Sequence, residues 1–285
     1  MIDIHSLAFS YRKGKGTPVL DRLDLRIPSG HIYGLLGPNG IGKTTLLHLL
    51  SGLKKPQMGE IRIDGNNPFD RHPSFLEHLA FVPDEMPGIR EEPVDYALSR
   101  GRFYPAFSPD LFRSLLSVFN VDSAKRISAM SYGERKKTYI AFHIACQNTY
   151  LFLDEPTNGM DLSSKALFRK ALAAHSKEDS TILIATHQLA DIEDIIDSVI
   201  LLDRKGEVLC LPIDEIGRRL RFEYDTVTRQ DAVWTERLPS GCVQICPNPE
   251  RAETRCHIGA LYNAFYGRKE QLLQAMSKSD QLSDK

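Results

Sequence analysis

Two hydrophobic periodicities alternate along the chain. Near the start, Leu7, Phe9 and Tyr11 alternate with Ala8 and Ser10, and Leu23, Leu25 and Ile27 alternate with Asp24 and Arg26. A period of two is that of a strand with one face buried, so Ile2 to Ile27 is expected to form antiparallel strands. A basic, glycine-bearing loop, Arg12-Lys13-Gly14-Lys15-Gly16, separates them. His31 to Leu36 is continuously apolar enough for a buried strand. Thr45 to Leu50 has the spacing of an amphipathic helix, closed by Ser51-Gly52-Leu53 with glycine near its C-cap. Glu60-Ile61-Arg62-Ile63-Asp64-Gly65 alternates again and ends in a turn. From Pro68 to about Ala129 the pattern predicts a mainly helical insert. Within it, Ser108-Pro109-Asp110 is a helix start and Leu111, Phe112, Leu115, Leu116 and Phe119 form one apolar stripe.

Ser131 and Glu134 have the spacing of a capping box, opening a helix that runs through Arg135-Lys136-Lys137 into Tyr139-Ile140-Ala141-Phe142. Tyr150 to Leu153 and Thr181 to Thr186 are apolar runs of buried-strand length, and Asp161 can cap the helix that follows the first of them. Val199 to Asp203 and Glu207 to Cys210 predict a hairpin across Arg204-Lys205-Gly206. Further on, Ile213 to Tyr224 reads as a charged helix and Cys242 to Cys246 as a short strand. Leu261 to Met276 reads as a helix and Ser277 to Lys285 as a solvated end. Strands and helices in this alternation make an α/β protein.

The chain has 285 residues, 42% of them hydrophobic, enough for one large or two modest domains. Lys and Arg number 36 against 37 Asp and Glu, a neutral balance without the footprint of a nucleic-acid-binding surface. No apolar run approaches the ~18 residues a membrane span needs. Met1-Ile2-Asp3-Ile4-His5 lacks the basic-then-apolar order of a signal peptide. Five cysteines, an odd count, suggest reduced thiols in the cytosol. Cys242, Cys246 and Cys256 lack a second closely spaced pair, so they read as plain thiols rather than zinc ligands.

The chemistry is concentrated at Gly37-Pro38-Asn39-Gly40-Ile41-Gly42-Lys43-Thr44, which is G-x-x-x-x-G-K-T between a predicted strand and a predicted helix. Glycines let backbone N–H groups turn toward a polyphosphate, and the helix N-terminus adds unpaired N–H groups and partial positive charge. Lys43 can reach the β- and γ-phosphates, and the Thr44 hydroxyl can ligate Mg²⁺. Tyr150 to Leu153 then ends in Asp154-Glu155, the Walker B pattern. Side chains alternate along a strand, so the adjacent carboxylates diverge: Asp154 to the Mg²⁺ shell, Glu155 to an attacking water. His187 closes a strand at the edge where an open α/β sheet binds ligands, although a surface histidine at a loop start is an equal reading. Tyr11 can stack on a nucleobase or pack on its strand face.

In this order the motifs resemble the nucleotide-binding subunit of an ABC transporter over about residues 2–215. Ser131-Tyr132-Gly133-Glu134-Arg135 matches the ABC signature, Asp154 to Asp161 the Walker B and D-loop, and Ala185-Thr186-His187 the H-loop. Tyr11 matches the adenine-stacking position, which favours stacking over packing. Phe103-Tyr104-Pro105-Ala106-Phe107 resembles a segment of the bacterial antibiotic- and multidrug-exporter branch. The resemblance implies a P-loop NTPase with a RecA-like core, an antiparallel β subdomain and a helical subdomain at about 68–139, all within 1–215. A small accessory or regulatory extension at 216–285 would follow. It implies ATP and Mg²⁺ as ligands, with Tyr11, Gly37 to Lys43, Thr44 and Thr45 around the nucleotide and Thr44 and Asp154 on the metal. Glu155 and His187 would be catalytic. It further implies a head-to-tail pair of cassettes, in which Ser131, Tyr132, Gly133, Glu134 and Asp161 serve the partner's site. A separate membrane permease, bound from the cytoplasmic face through the insert from Asp84 to about Pro109, would be driven by that pair.

One position departs from the family pattern. Val82-Pro83-Asp84 carries an aspartate where the family places a glutamine that contacts Mg²⁺ and water. A carboxylate can ligate Mg²⁺ more strongly than an amide, so Asp84 joins the expected metal shell, at the price of added negative charge. Two rival readings keep the fold: a soluble ABC ATPase without transport, and an ATP-gated clamp that hardly hydrolyses. Neither a second cassette nor a long coiled-coil insert is present to favour the first. Asp84 alone favours the second.

Overall fold

The computed structural model describes residues 1–11, 18–204 and 206–281, so the expected loop at Arg12 to Gly16, Lys205 and the last four residues lie outside it. The chain divides into two compact units, residues 1–196 with 202–208 and residues 197–201 with 209–285. In the first unit β1 (Ile2–Phe9) and β2 (Leu20–Ile27) pair antiparallel, as their alternation requires. A parallel strand, β3 (Ile32–Leu36), leads through the glycine-rich loop into α1 (Lys43–Leu50). β4 (Met58–Ile63) then returns to β1, giving a three-stranded sheet in the order β2-β1-β4.

The segment expected to be helical from Pro68 starts otherwise. After the short α2 (Pro73–Leu76) comes β5 (Leu79–Val82), whose Ala80 and Val82 are buried and which pairs in parallel at one edge of the parallel sheet. Four residues are too few for periodicity to separate strand from helix, and pairing decides. The helical part follows as α3 (Pro93–Gly101), α4 (Pro109–Val118) and α5 (Tyr132–Ala145). Ser108 caps α4 by accepting from the Leu111 N–H at 3.2 Å. These helices share an aromatic core around Phe142, whose ring lies 5.2 Å from Tyr96, 5.6 Å from Phe107 and 6.3 Å from Phe112. β6 (Tyr150–Asp154), α6 (Leu162–His175) and β7 (Thr181–Ala185) complete the unit.

Strands of β6 and β7 are buried at every residue, the mark of a parallel sheet covered on both faces. The order within the unit is β5-β6-β7-β3. Register aligns Leu153 with Ile184, Asp154 with Ala185, and Leu35 with Ala185. The carboxyl ends of β3, β6 and β7 therefore finish level, and whatever follows each strand emerges at one edge. That alignment is what makes a site.

β8 (Ser198–Leu202) and β9 (Val208–Pro212) turn where Asp203 N–H bonds the Glu207 carbonyl at 3.0 Å. The second unit continues with α7 (Ile213–Arg219), β10 (Leu220–Asp225), β11 (Trp234–Leu238), β12 (Gly241–Pro247) and α8 (Ile258–Gln281), which kinks at Arg268. The three strands form an antiparallel sheet in the order β10-β12-β11. The helix expected from Ile213 to Tyr224 stops at Arg219, because Leu220 and Phe222 face the core with period two. β11, with no fully buried residue, gave no periodic signal.

Candidate active site

The loop between β3 and α1 has the conformation its glycines allow. Gly42 sits at φ 116°, and a Cβ there would lie 2.9 Å from Leu20 Cδ2, so both backbone and space demand glycine. Among the described residues no side chain caps α1, which leaves its first N–H groups available to an anion. Lys43, buried, donates to the Gly37 carbonyl at 2.7 Å and the Pro38 carbonyl at 3.4 Å. Burial pulls its pKa below the ordinary lysine value, and Glu155 and Asp154 oppose that pull. Two carbonyls are weak partners for a buried ammonium; a phosphate would be a stronger one.

Asp154 is 4% exposed and accepts a hydrogen bond from Thr44. Burial raises its pKa, a cost the Thr44 bond and Lys43 offset, while Glu155 and Asp84 add to it. A buried carboxylate and a hydroxyl side by side at a phosphate loop fit a hard divalent cation. Glu155 follows in the left-handed region, at φ 45°. Its N–H bonds the Ala185 carbonyl at 2.8 Å. Its carboxylate turns away from Asp154 to accept from His187 Nδ1 at 2.8 Å, His187 N–H at 3.1 Å and the Thr186 hydroxyl at 3.0 Å. An open cleft of about 420 Å³ is lined by Tyr11, Val19, Asn39, Gly40, Gly42, Lys43, Thr44, Thr45 and Glu155. At its rim Tyr11, 60% exposed, shares a 3.0 Å hydrogen bond between its hydroxyl and that of Thr45, and Lys54 Nζ lies 5.0 Å from its ring centre.

The signature residues lie apart from this cleft: none of Ser131, Tyr132, Gly133 and Glu134 lines it. Ser131 and Glu134 close the expected capping box, with Glu134 N–H donating to Ser131 Oγ at 3.2 Å and Ser131 N–H to Glu134 Oε2 at 2.7 Å. The Ser131 N–H and Lys125 together hold the Glu134 carboxyl down at about 2. Asp161 caps α6 by accepting from the Ser164 N–H at 2.7 Å. Gly159 sits at φ 73°, and a Cβ on it would come within 2.5 Å of the Tyr132 ring, so the D-loop and signature pack closely in one chain.

Asp84 takes an unexpected place. Its Oδ1 accepts from Lys136 Nζ at 2.8 Å, Tyr132 Oη at 2.9 Å and Asn158 Nδ2 at 3.3 Å, while Oδ2 takes only an Asn158 contact of 3.5 Å. Burial pushes its pKa up, but the hydrogen bonds from Lys136 and Tyr132 outweigh that and hold it below the usual range. One oxygen of the carboxylate expected to join the metal shell is thus turned to the signature helix.

The profile of the ABC transporter family matches residues 20–158. The SkfA peptide export ATP-binding protein SkfE of Bacillus subtilis (strain 168) is 30% identical over 217 residues, which cover 73% of this chain and 87% of that protein. This chain belongs to the ABC transporter family. It is an ATP-binding subunit of that family, an ATPase. The methionine import ATP-binding protein MetN of Protochlamydia amoebophila (strain UWE25) is also 30% identical, over 68% of this chain; this chain spans 60% of its length. A solved dimeric ATP-binding cassette, in a post-hydrolysis state with ADP and Pi bound, shares the fold with a TM-score of 0.64 at 19% identity, over 74% of this chain and 99% of that one. Among the described residues no helix is long and apolar enough to cross a membrane.

For an ABC ATPase two residues with a part in the site escaped the motif reading. Lys136 is 0% exposed, with its ammonium between Asp84 and the Glu155 carbonyl. Gln188 donates to Asn158 Oδ1 at 3.0 Å and so joins the segment after His187 to the D-loop. A signal for Lys136 exists in the sequence: it falls four residues after Tyr132 and four before Ile140, on the buried face of α5. A lysine on an apolar stripe needs an anion, and Asp84 is that anion.

Proposed function

We propose that the chain works as one half of a head-to-tail pair of cassettes that drives a separate membrane permease, in the direction of export. Within each half, Lys43 and the loop amides take the phosphates, Tyr11 takes the base, and Thr44 and Asp154 hold Mg²⁺. Mg²⁺, when bound, would supply charge neutralisation at the phosphates. Glu155 orients and deprotonates the attacking water, and His187 keeps the carboxylate aimed and contacts the γ-phosphate. The observation that carries this reading is the split geometry. Glu155, fixed by His187 and Thr186, lines the phosphate cleft, while Ser131 to Glu134 on the same chain do not. An anion site divided this way is completed by a second copy. ATP then favours the closed pair and hydrolysis releases it, a population shift set by differential affinity.

The peptide-export relative supports the direction of transport. The exposed Leu98 and Phe103 on the helical insert support a protein partner there. The site of action on this reading is the cytoplasmic face of the cell membrane. Residues 1–215 form the ATPase domain and 216–285 an accessory one. The test is the mass of the Glu155→Gln chain in solution with Mg²⁺ and ATP, alone and with the permease supplied. A doubling that disappears on removing ATP is expected; a monomer under all these conditions overturns the proposal.

A further inference from the structure

Lys136 is the centre of a buried polar cluster that the motifs do not assign. Its ammonium has three N–H groups and three partners: Asp84 Oδ1 at 2.8 Å, Tyr132 Oη at 3.0 Å and the backbone carbonyl of Glu155 at 2.5 Å. Nothing of its donor capacity is left over. The Glu155 carbonyl is a telling partner. Glu155 holds a left-handed backbone, and its N–H is already tied to Ala185. Lys136 ties the other end of the same residue. The peptide groups that set where the Glu155 carboxylate points are therefore pinned from β7 on one side and from the signature helix on the other.

The charges match as well. Asp84 is 39% exposed and Lys136 fully buried, so Asp84 is the anion in contact with an ammonium that has left water. An amide at position 84 would accept a hydrogen bond but leave that charge without an anion in contact, with only the more distant Glu155 and Asp154 acting on it. Without Lys136, Asp84 would be a third carboxylate next to Asp154 and Glu155, where its charge already acts on Asp154. The aspartate at 84 and the lysine at 136 make sense together and not singly.

We propose that Lys136 is a positioning residue for ATP hydrolysis, that it fixes the backbone of Glu155, and that Asp84 serves as its counter-ion rather than as a magnesium ligand. The proposal rests on the reading of Glu155 as the base. It has a consequence for the paired cassettes. Ser131 to Gly133 lie at the start of the helix that carries Lys136, so one ammonium joins the segment that serves the partner's nucleotide to the carboxylate that serves this chain's own. Asn158, bonded to Asp84 and to Gln188, extends the link through the D-loop.

The test uses the full chain with Asp84→Asn, Lys136→Met and the double variant. Steady-state ATPase gives kcat and KM. Calorimetric ATP affinity with Mg²⁺ and with EDTA gives a readout that does not depend on turnover. Lys136→Met is expected to lower kcat about 10- to 100-fold with KM for ATP within about threefold, because a positioning loss falls on the transition state. Asp84→Asn is expected to lower kcat less. The double variant should match Lys136→Met within about twofold, because the two act as one unit. The gain in ATP affinity given by Mg²⁺ should be unchanged in Asp84→Asn. Loss of that gain makes Asp84 a metal ligand and overturns the proposal, as does multiplicative loss in the double variant.

Should Lys136→Met fail to fold, Asp84→Gln and Asp84→Gln with Lys136→Gln decide. The single change strands the ammonium and should be impaired, and the neutral amide pair should recover kcat to within about threefold of the parent. Full activity of Asp84→Gln alone overturns the proposal. Undiminished turnover in Glu155→Gln would instead remove the base assignment, whatever the outcome at Lys136.

Discussion

Replacing Glu155 by glutamine isolates the chemistry from the fold. The carboxylate accepts three hydrogen bonds within 3.1 Å, from His187 Nδ1, His187 N–H and the Thr186 hydroxyl. Glutamine keeps its Oε1 for His187, and its amide then faces Thr186, whose oxygen already accepts from the Gln188 N–H at 3.0 Å. One hydrogen bond changes direction and one charge disappears, so the stability effect should stay near 1 kcal/mol. Turnover should fall about 10²- to 10⁴-fold, the range for loss of a positioned base, while nucleotide affinity holds. Glycine at the same position gives a second comparison. The left-handed backbone at φ 45° costs a non-glycine residue roughly 1–2 kcal/mol. Glycine's entropy in the unfolded chain offsets about 0.5–1 kcal/mol of the relief. Glu155→Gly should therefore be as inactive as Glu155→Gln and up to ~1 kcal/mol more stable than Glu155→Ala, which loses the same three hydrogen bonds but keeps the strained backbone. The assays are single-turnover phosphate release, equilibrium nucleotide binding and urea unfolding. Glu155→Gln turnover within about threefold of the parent would refute the catalytic argument, and Glu155→Gly no more stable than Glu155→Ala would refute the strain argument.

Lys43→Ala should weaken ATP binding about 10- to 100-fold, since a charged hydrogen bond to phosphate is worth about 1.5–3 kcal/mol; unchanged affinity by calorimetry would remove Lys43 from the site. Tyr11→Ala should raise KM for ATP about 5- to 100-fold through loss of roughly 1–3 kcal/mol of base stacking, with Tyr11→Phe near the parent; equal KM values for all three would show that the base lies elsewhere. His143 should make the fold acid-sensitive. Burial, with Nδ1 left without a partner, lowers its pKa from 6.5 to about 4. The unfolded chain takes up a proton as pH falls through 6.5 and the folded chain does not until about 4, so the contribution is full above 6.5 and lost between 6.5 and 4. His143 is only half-buried as a residue, so the loss is discounted to about 2 kcal/mol. Urea midpoints of the parent and His143→Gln should converge across that window, and parallel curves would count against it.

What the sequence disclosed and what it withheld divide along a physical line. The phosphate loop, Asp154-Glu155 and Thr186-His187 were legible because each is a local rule: a turn that needs glycine, a strand that ends in acids, a strand that ends at a sheet edge. Their convergence was legible too, because parallel strands of similar length finish level, as Asp154 and Ala185 do. The capped helices at Ser108, Ser131 and Asp161 followed from the same kind of short-range bookkeeping. Less survived where pairing outranks local pattern. β5 is four residues of a run that periodicity alone could assign to either state, and β10 continues straight out of a helix whose charges had seemed to extend it. The partner of Asp84 was furthest from view. Lys136 lies 52 residues away, and nothing about either residue alone announces the other. Read singly, the aspartate was a substitution with an awkward charge, and the lysine's place on the buried stripe of α5 called for an anion without saying which. Brought within 2.8 Å they neutralise each other beside Glu155, so on the proposed reading the aspartate at 84 and the lysine at 136 form a single feature. A compensation of this kind is written in the tertiary structure, since electrostatic balance in a buried site is a property of the set of charges and of no one member.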